Sequence, residues 1–151
     1  RGMEGELSFV LGCAATISNM KPLKEVYPNV DDECPSFYDY SPLLASFGYE
    51  ELLSVDDNDY QGDSRVLFKD SERIGLLIFG WGSCSGCDAL QACSSFNEVE
   101  VLRAQLHEQI KWFESKAEAR NYFLTHDWAG DYHGNSEETV RFIAEAMPLF
   151  S

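Results

Sequence analysis

Arg65-Val66-Leu67-Phe68-Lys69-Asp70-Ser71-Glu72-Arg73-Ile74-Gly75-Leu76-Leu77-Ile78-Phe79-Gly80-Trp81 decides the fold. Two short apolar runs flank a charged tetrad, Asp70 to Arg73. That pattern predicts a β-hairpin, with a turn longer than the two-residue optimum. The second run is nearly continuous in apolar content from Ile74 to Phe79. Such a strand is expected at the centre of a sheet, covered on both faces.

The flanking sequence supplies helices for that cover. Leu7, Val10, Leu11, Ala14 and Ile17 recur at helical spacing over 4–18, and Asn19 is a C-terminal stop. Lys21 to Cys34 contains Pro22, Pro28 and Asp31-Asp32-Glu33 and reads as a loop. Ser41-Pro42 places a cap before a proline, and a short helix runs through Leu43, Leu44 and Phe47 to Gly48. Tyr49 to Val55 is strand-like, and Asp56-Asp57-Asn58-Asp59 breaks it. Beyond the hairpin, Asn97-Glu98-Val99-Glu100 opens a helix with Val99, Leu102, Leu106 and Ile110 inward. Gln109 to Phe113 suits a fourth strand instead. Ser115-Lys116-Ala117-Glu118 is a capping box, with Ala119, Tyr122 and Phe123 facing inward. Asp127 to Gly134 is a loop, and Asn135-Ser136-Glu137-Glu138 opens the last helix. Its expected inner face is Val140, Ile143, Ala144 and Met147. No internal repeat is evident. The expected fold class is α+β: a small antiparallel sheet of three to four strands flanked by N-terminal and C-terminal helices, in a single domain. Arg1-Gly2, ahead of Met3, read as an addition to the native chain.

Composition narrows the function classes. The 151 residues hold 26 Asp and Glu against 11 Lys and Arg, a net charge of −15. Residues 1–64 carry 13 of the acids and only 3 of the bases. A field of that sign excludes unassisted binding to nucleic-acid phosphates or an anionic membrane. It admits a basic protein partner, a cation or simple solubility. Val10-Leu11-Gly12-Cys13 has the outline of a lipoprotein cleavage box, but Glu4 and Glu6 outweigh Arg1 where a signal peptide needs bases. Five cysteines, an odd number at low density, point to the cytoplasm and to thiols mostly reduced.

Gly80-Trp81-Gly82-Ser83-Cys84-Ser85-Gly86-Cys87-Asp88 is the stretch richest in chemistry. Two thiols three positions apart can face one point. Phe79-x-Trp81-x-x-Cys84-x-x-Cys87 after an apolar strand resembles the thioredoxin active-site segment. That resemblance implies a nucleophilic cysteine at a helix N-terminus. The family also needs a cis-proline downstream, and no proline stands between Cys87 and Pro148. A second reading takes Cys84, Cys87 and Cys93 as three ligands, with His107, His126 or His133 as the fourth; zinc is the metal such a set would take. A third makes Cys84 or Cys87 a nucleophile activated by His126 or His133, with Asp127 as orienter. The plainest reading is structural: small residues turn the chain sharply, free Cys packs as a small hydrophobe, and Ser83, Ser85 and Asp88 serve as turn and cap groups. The Gly-Ser-Cys-Ser-Gly-Cys-Asp turn, with Asp59-Tyr60-Gln61-Gly62-Asp63 upstream, is also similar to a set of small uncharacterised proteins of bacteriophages and bacteria. That resemblance implies a mobile-element context and no activity.

Asp56 to Asp63 fails as an EF-hand, because Phe68 stands where the bidentate Glu belongs. A solvated turn is expected there. His126-Asp127-Trp128 and Asp131-Tyr132-His133 read as a helix–helix connection with Trp128 plugging the core. No phosphate loop or serine nucleophile elbow is present. The favoured expectation is a non-enzymatic interaction protein, of the inhibitor or immunity type, with no cofactor. Its acidic face would be Asp31, Asp32, Glu33, Asp56, Asp57, Asp59 and Asp63, meeting a basic partner. The alternative is a thiol-redox or zinc protein built on Cys84 and Cys87.

Overall fold

A computed structural model describes residues 20–151. The helix expected over 4–18, and Cys13 with it, lie outside the described residues. In chain order the elements are α1 (Leu23–Val26), α2 (Ser41–Ala45), β1 (Glu50–Asp56), β2 (Gly62–Asp70), β3 (Arg73–Trp81), α3 (Phe96–Gln109), β4 (Lys111–Phe113), α4 (Lys116–Thr125) and α5 (Glu137–Ala146). Short 3-10 turns cover Trp128–Gly130 and Met147–Phe150. The strands form one antiparallel sheet in the order β1-β2-β3-β4. This is the α+β arrangement, with a sheet between helical layers. No described helix is long and apolar enough to cross a membrane.

The β2–β3 hairpin is apolar on both sides. Successive strand residues point to opposite faces, so Val66 opposite Leu77 and Leu67 opposite Leu76 line different layers. All four are buried. On the first face Val66, Phe68, Leu77 and Phe79 pack with Leu43 and Leu44 of α2 and with Val99, Leu102 and Leu106 of α3. On the second, Leu67, Ile74 and Leu76 pack with Phe113, with Ala119 and Phe123 of α4, and with Phe142 and Ala146 of α5. Helices that come early and in the middle of the chain cover one face, and the last two cover the other.

Several local expectations change. The hairpin turn has only two residues, Ser71 and Glu72, because Asp70 pairs with Arg73 in the ladder. Ser71 takes φ 58°, the left-handed region that such tight turns need. Arg73 stays in register because its guanidinium bonds Asp70 at 2.6 Å and lies 4.2 Å over the Trp112 ring. The loop expected over Lys21 to Cys34 contains α1. Ser41 is the first residue of α2 rather than its cap, and Gly48 follows that helix with φ 82°. α3 is capped by Ser95, whose hydroxyl accepts from the Glu98 amide, two residues earlier than the expected Asn97. Ser115 caps α4 as expected, its hydroxyl accepting from the Glu118 amide, while the Glu118 carboxylate reaches back to the Glu114 amide, one residue before the Ser115 amide of a strict capping box.

The inner face of α5 is displaced by one residue. Thr139, Phe142 and Ala146 are buried, Ile143 and Met147 are partly covered, and Val140 is 59% exposed. The physical reason is Arg65. Its side chain emerges on the α5 side of β2 and is only 2% exposed. A buried guanidinium must be hydrogen-bonded. Nε donates to the Thr139 hydroxyl at 3.0 Å, and Nη1 to Asp57 at 2.8 Å. Thr139 therefore turns inward and Val140 outward.

Leu67→Ala and Leu77→Ala, on opposite faces of the hairpin, are each expected to cost about 2–5 kcal/mol in urea unfolding, whereas Val140→Ala changes stability by at most about 0.5 kcal/mol. A large loss at Val140 would contradict the inner face assigned to α5. A pH effect is expected at His107, which packs against Phe47 and Tyr49 and bonds the Tyr49 hydroxyl at 2.7 Å. Burial first, then the Arg73 charge, lowers its pKa below the ordinary 6.5. Below pH 6.5 the unfolded chain takes up a proton that the folded one resists, so stability falls as pH drops. Unfolding of His107→Gln followed from pH 7.5 to 5 should lose that part of the slope.

Candidate dithiol site

β3 delivers the chain to the turn that holds Cys84 and Cys87. The turn is closed by the Cys87 amide donating to the Cys84 carbonyl at 3.0 Å. Gly82 sits where a Cβ would run into the Cys87 carbonyl and Sγ, so only glycine lets the two arms of the turn approach. No helix follows the cysteines; the chain continues in turns until α3 begins at Phe96. No cis peptide is present among the described residues. The thioredoxin-like features implied by the local resemblance, a helix N-terminus and a facing cis-proline, are therefore not formed.

The two sulfurs nevertheless meet. Cys84 Sγ and Cys87 Sγ stand 2.7 Å apart, and both residues are exposed. Exposure sets them apart from cysteines that act as small hydrophobes. The Cys84 amide donates to Cys87 Sγ at 3.0 Å. The Cys87 pKa is lowered from the ordinary 9.0, first by the hydrogen bond from the Cys84 thiol and then by the backbone amides of Cys84 and Ser83. The neighbouring thiol, helped by the local backbone, lowers this pKa where no helix dipole is at hand.

Cys93 stands apart. It is buried in the first-face core, donates to the Ala89 carbonyl at 3.3 Å, and burial pushes its thiol pKa up. It behaves as the small hydrophobe that the structural reading expected. His126 is on the other side of the sheet, stacked on Tyr122 and bonded to Asp131 at 2.7 Å. His133 lies 3.4 Å from Asp63. Neither the Cys84, Cys87, Cys93 and His ligand set nor a Cys–His couple is assembled among the described residues. The group of three ligating side chains that does gather there is Asp57, Asp63 and His133. Asp57 is already committed, with Oδ1 accepting from Arg65 and Oδ2 from the Asp63 amide. A guanidinium at that place takes the position of a cation.

Several of the acids expected to form one face make bonds of their own. Asp31 caps the Glu33 amide, and Asp32 lies 3.4 Å from Lys24. Asp59 accepts from the Tyr60 amide, while Asp57 is only 12% exposed against Arg65. Asp56 instead faces a cleft of about 220 Å³ with Asp39, Glu51 and Asp88, between Tyr38 and Trp81. Among the described residues no Lys or Arg lines it. Its floor includes Gly82 and Asp88, both from the cysteine turn. Tyr40 closes one side, with its hydroxyl donating to Asp88 at 3.2 Å. Burial, then the Asp88 charge, raises the Tyr40 pKa so that it stays neutral. Sequence reasoning took Asp88 as a turn group and had no signal for Tyr40, Asp39 or Glu51, which lie 37 to 49 positions away in the chain.

No protein-family model, curated protein or solved structure matches this chain. The chemistry is therefore read from the site alone.

The Arg65–Asp57 pair is the part of this region that the fold depends on. Asp57→Ala leaves a buried guanidinium short of its partner, and an unfolding titration should show a loss of about 3 kcal/mol. Asp59→Ala, at an exposed turn, should shift it by no more than about 0.5 kcal/mol.

Proposed function

We propose that this protein is a thiol–disulfide protein, in which Cys84 and Cys87 pass reversibly between dithiol and disulfide. The observation that carries the reading is the approach of two exposed sulfurs to 2.7 Å in a closed turn. Zinc asks for four donors, and the pair offers two. A disulfide asks for two sulfurs, and geometry already supplies both.

The chemistry balances with a disulfide as co-reactant. The Cys87 thiolate, whose formation the Cys84 hydrogen bond favours, attacks one sulfur of a partner disulfide and expels the other half as a thiolate. Cys84, deprotonated in turn, attacks Cys87 Sγ and releases the remaining half. Two protein thiols lose two electrons and two protons, and the partner disulfide becomes two thiols. Run backward, the same steps reduce the protein.

The test is equilibration in glutathione buffers of varied ratio, followed by acid quenching, alkylation and peptide mapping. The expected result is one intramolecular Cys84–Cys87 bond that forms as oxidised glutathione increases and is absent in Cys84→Ala. Single glutathione adducts with no intramolecular bond at any ratio would overturn the reading. In the reduced protein, Cys84→Ala should also shift the pH midpoint of Cys87 alkylation upward, because the largest cause of its lowered pKa is gone.

A second reading rests on the acid-lined cleft. Its carboxylates, with no Lys or Arg among the described lining residues, suit a basic segment of a partner protein. Binding of an oligolysine peptide should weaken steeply as salt rises and fall further in Glu51→Gln; a flat salt dependence would remove the electrostatic account.

A further inference from the structure

Asp88 is one residue past the dithiol and only 4% exposed. Its carboxylate makes three bonds. Oδ2 accepts from the Gly82 amide at 2.8 Å. Oδ1 accepts from the Gln91 amide at 2.9 Å and from the Tyr40 hydroxyl at 3.2 Å. The Gln91 side chain returns to the Gly82 carbonyl at 3.1 Å, and the Leu90 amide donates to Tyr40. Gly82 precedes the turn and Gln91 follows it. The carboxylate thus clips together the two arms from which Ser83 to Cys87 project. The clip uses acceptors only, since every group facing the carboxylate is a donor.

We infer that Asp88 is the positioning residue of the dithiol, fixing the separation of Cys84 and Cys87 and thereby the equilibrium between dithiol and disulfide. The inference rests on the thiol–disulfide reading above. Asp88 does not touch the sulfurs; it acts through the backbone of Gly82 and the turn it anchors. Holding both arms removes, in advance, the conformational entropy that closing the bond would otherwise cost. The effective concentration of one thiol at the other rises accordingly, and with it the fraction oxidised at a given glutathione ratio. Tyr40 and Gln91 are auxiliaries of the same clip.

Asp88→Asn keeps the volume and replaces one acceptor oxygen with a donor, which must face an N–H or O–H group. The measured quantity is the equilibrium constant for protein dithiol plus oxidised glutathione giving protein disulfide plus two reduced glutathiones. In Asp88→Asn it is expected to fall by about tenfold, which is about 30 mV for a two-electron couple. Tyr40→Phe, losing one of the three bonds, should move it in the same direction by about twofold to threefold. A role in general stability alone would lower the unfolding temperature of both redox forms and leave this constant unchanged. Wild-type protein that oxidises normally, with folded Asp88→Asn matching its constant, would overturn the inference while the thiol–disulfide reading stands. Wild-type protein that never forms the bond defeats that reading instead. Where Asp88→Asn does not fold, Tyr40→Phe and Gln91→Ala decide: a shift in both supports the clip, and no shift in either overturns it.

Discussion

Val66 against Leu77 on one side, and Leu67 against Leu76 on the other, give the central hairpin two faces that water must not reach. A two-stranded ribbon cannot satisfy that demand by itself. β1 and β4 extend the sheet, and two helical layers close over it. The placement of every later element follows. α3 must return to the first face beside α2, while α4 and α5 must cross to the second. The dithiol turn hangs from the end of β3, which stays paired with β2 as far as Trp81. Its backbone therefore starts from a fixed point, although its sulfurs stand in solvent.

Two buried polar centres flank that frame and solve the same problem with opposite charge. Arg65 is a cation among apolar groups, and it recruits Thr139 and Asp57 as acceptors. Asp88 is an anion, and it recruits Gly82, Gln91 and Tyr40 as donors. Each links segments distant in the chain, and each costs more to break than its net worth when intact, because the remaining partner is left unpaired. The first sets the rotation of a helix. The second sets the shape of a turn.

Apolar pattern made the hairpin, its double cover and the α+β class legible in the sequence. It failed where a polar group decides the packing. The charged residues Asp70 and Arg73 looked like turn, yet they pair across the ladder because a salt bridge and the Trp112 ring hold them there. Val140 looked buried because it is apolar, yet Thr139 is the residue Arg65 needs. Cys84 and Cys87 were legible as a pair, since three positions bring two side chains near one point. Their exposure was not, because it depends on where the turn projects from the fold. The separation of Cys93 from them was hidden for the same reason: Cys93 turns into the first-face core, and spacing along a chain carries no record of which layer a side chain enters.

Arg65 and Arg103 are both nearly out of contact with solvent. Arg103 is turned to the Lys21 carbonyl and the Ser46 hydroxyl, with Glu100 at its outer edge. Among the described residues, two basic side chains are thus spent inside the molecule. Asp57 and Asp88 are withdrawn with them, so the exterior keeps the formal −15 almost whole. The folded chain sits in a halo of mobile counterions that it gathers for itself, and those ions moderate the self-repulsion that compaction brings. Dissolved salt is in that sense an extra, exchangeable layer of this protein, wrapped around the outermost carboxylates as the helices are wrapped around the hairpin.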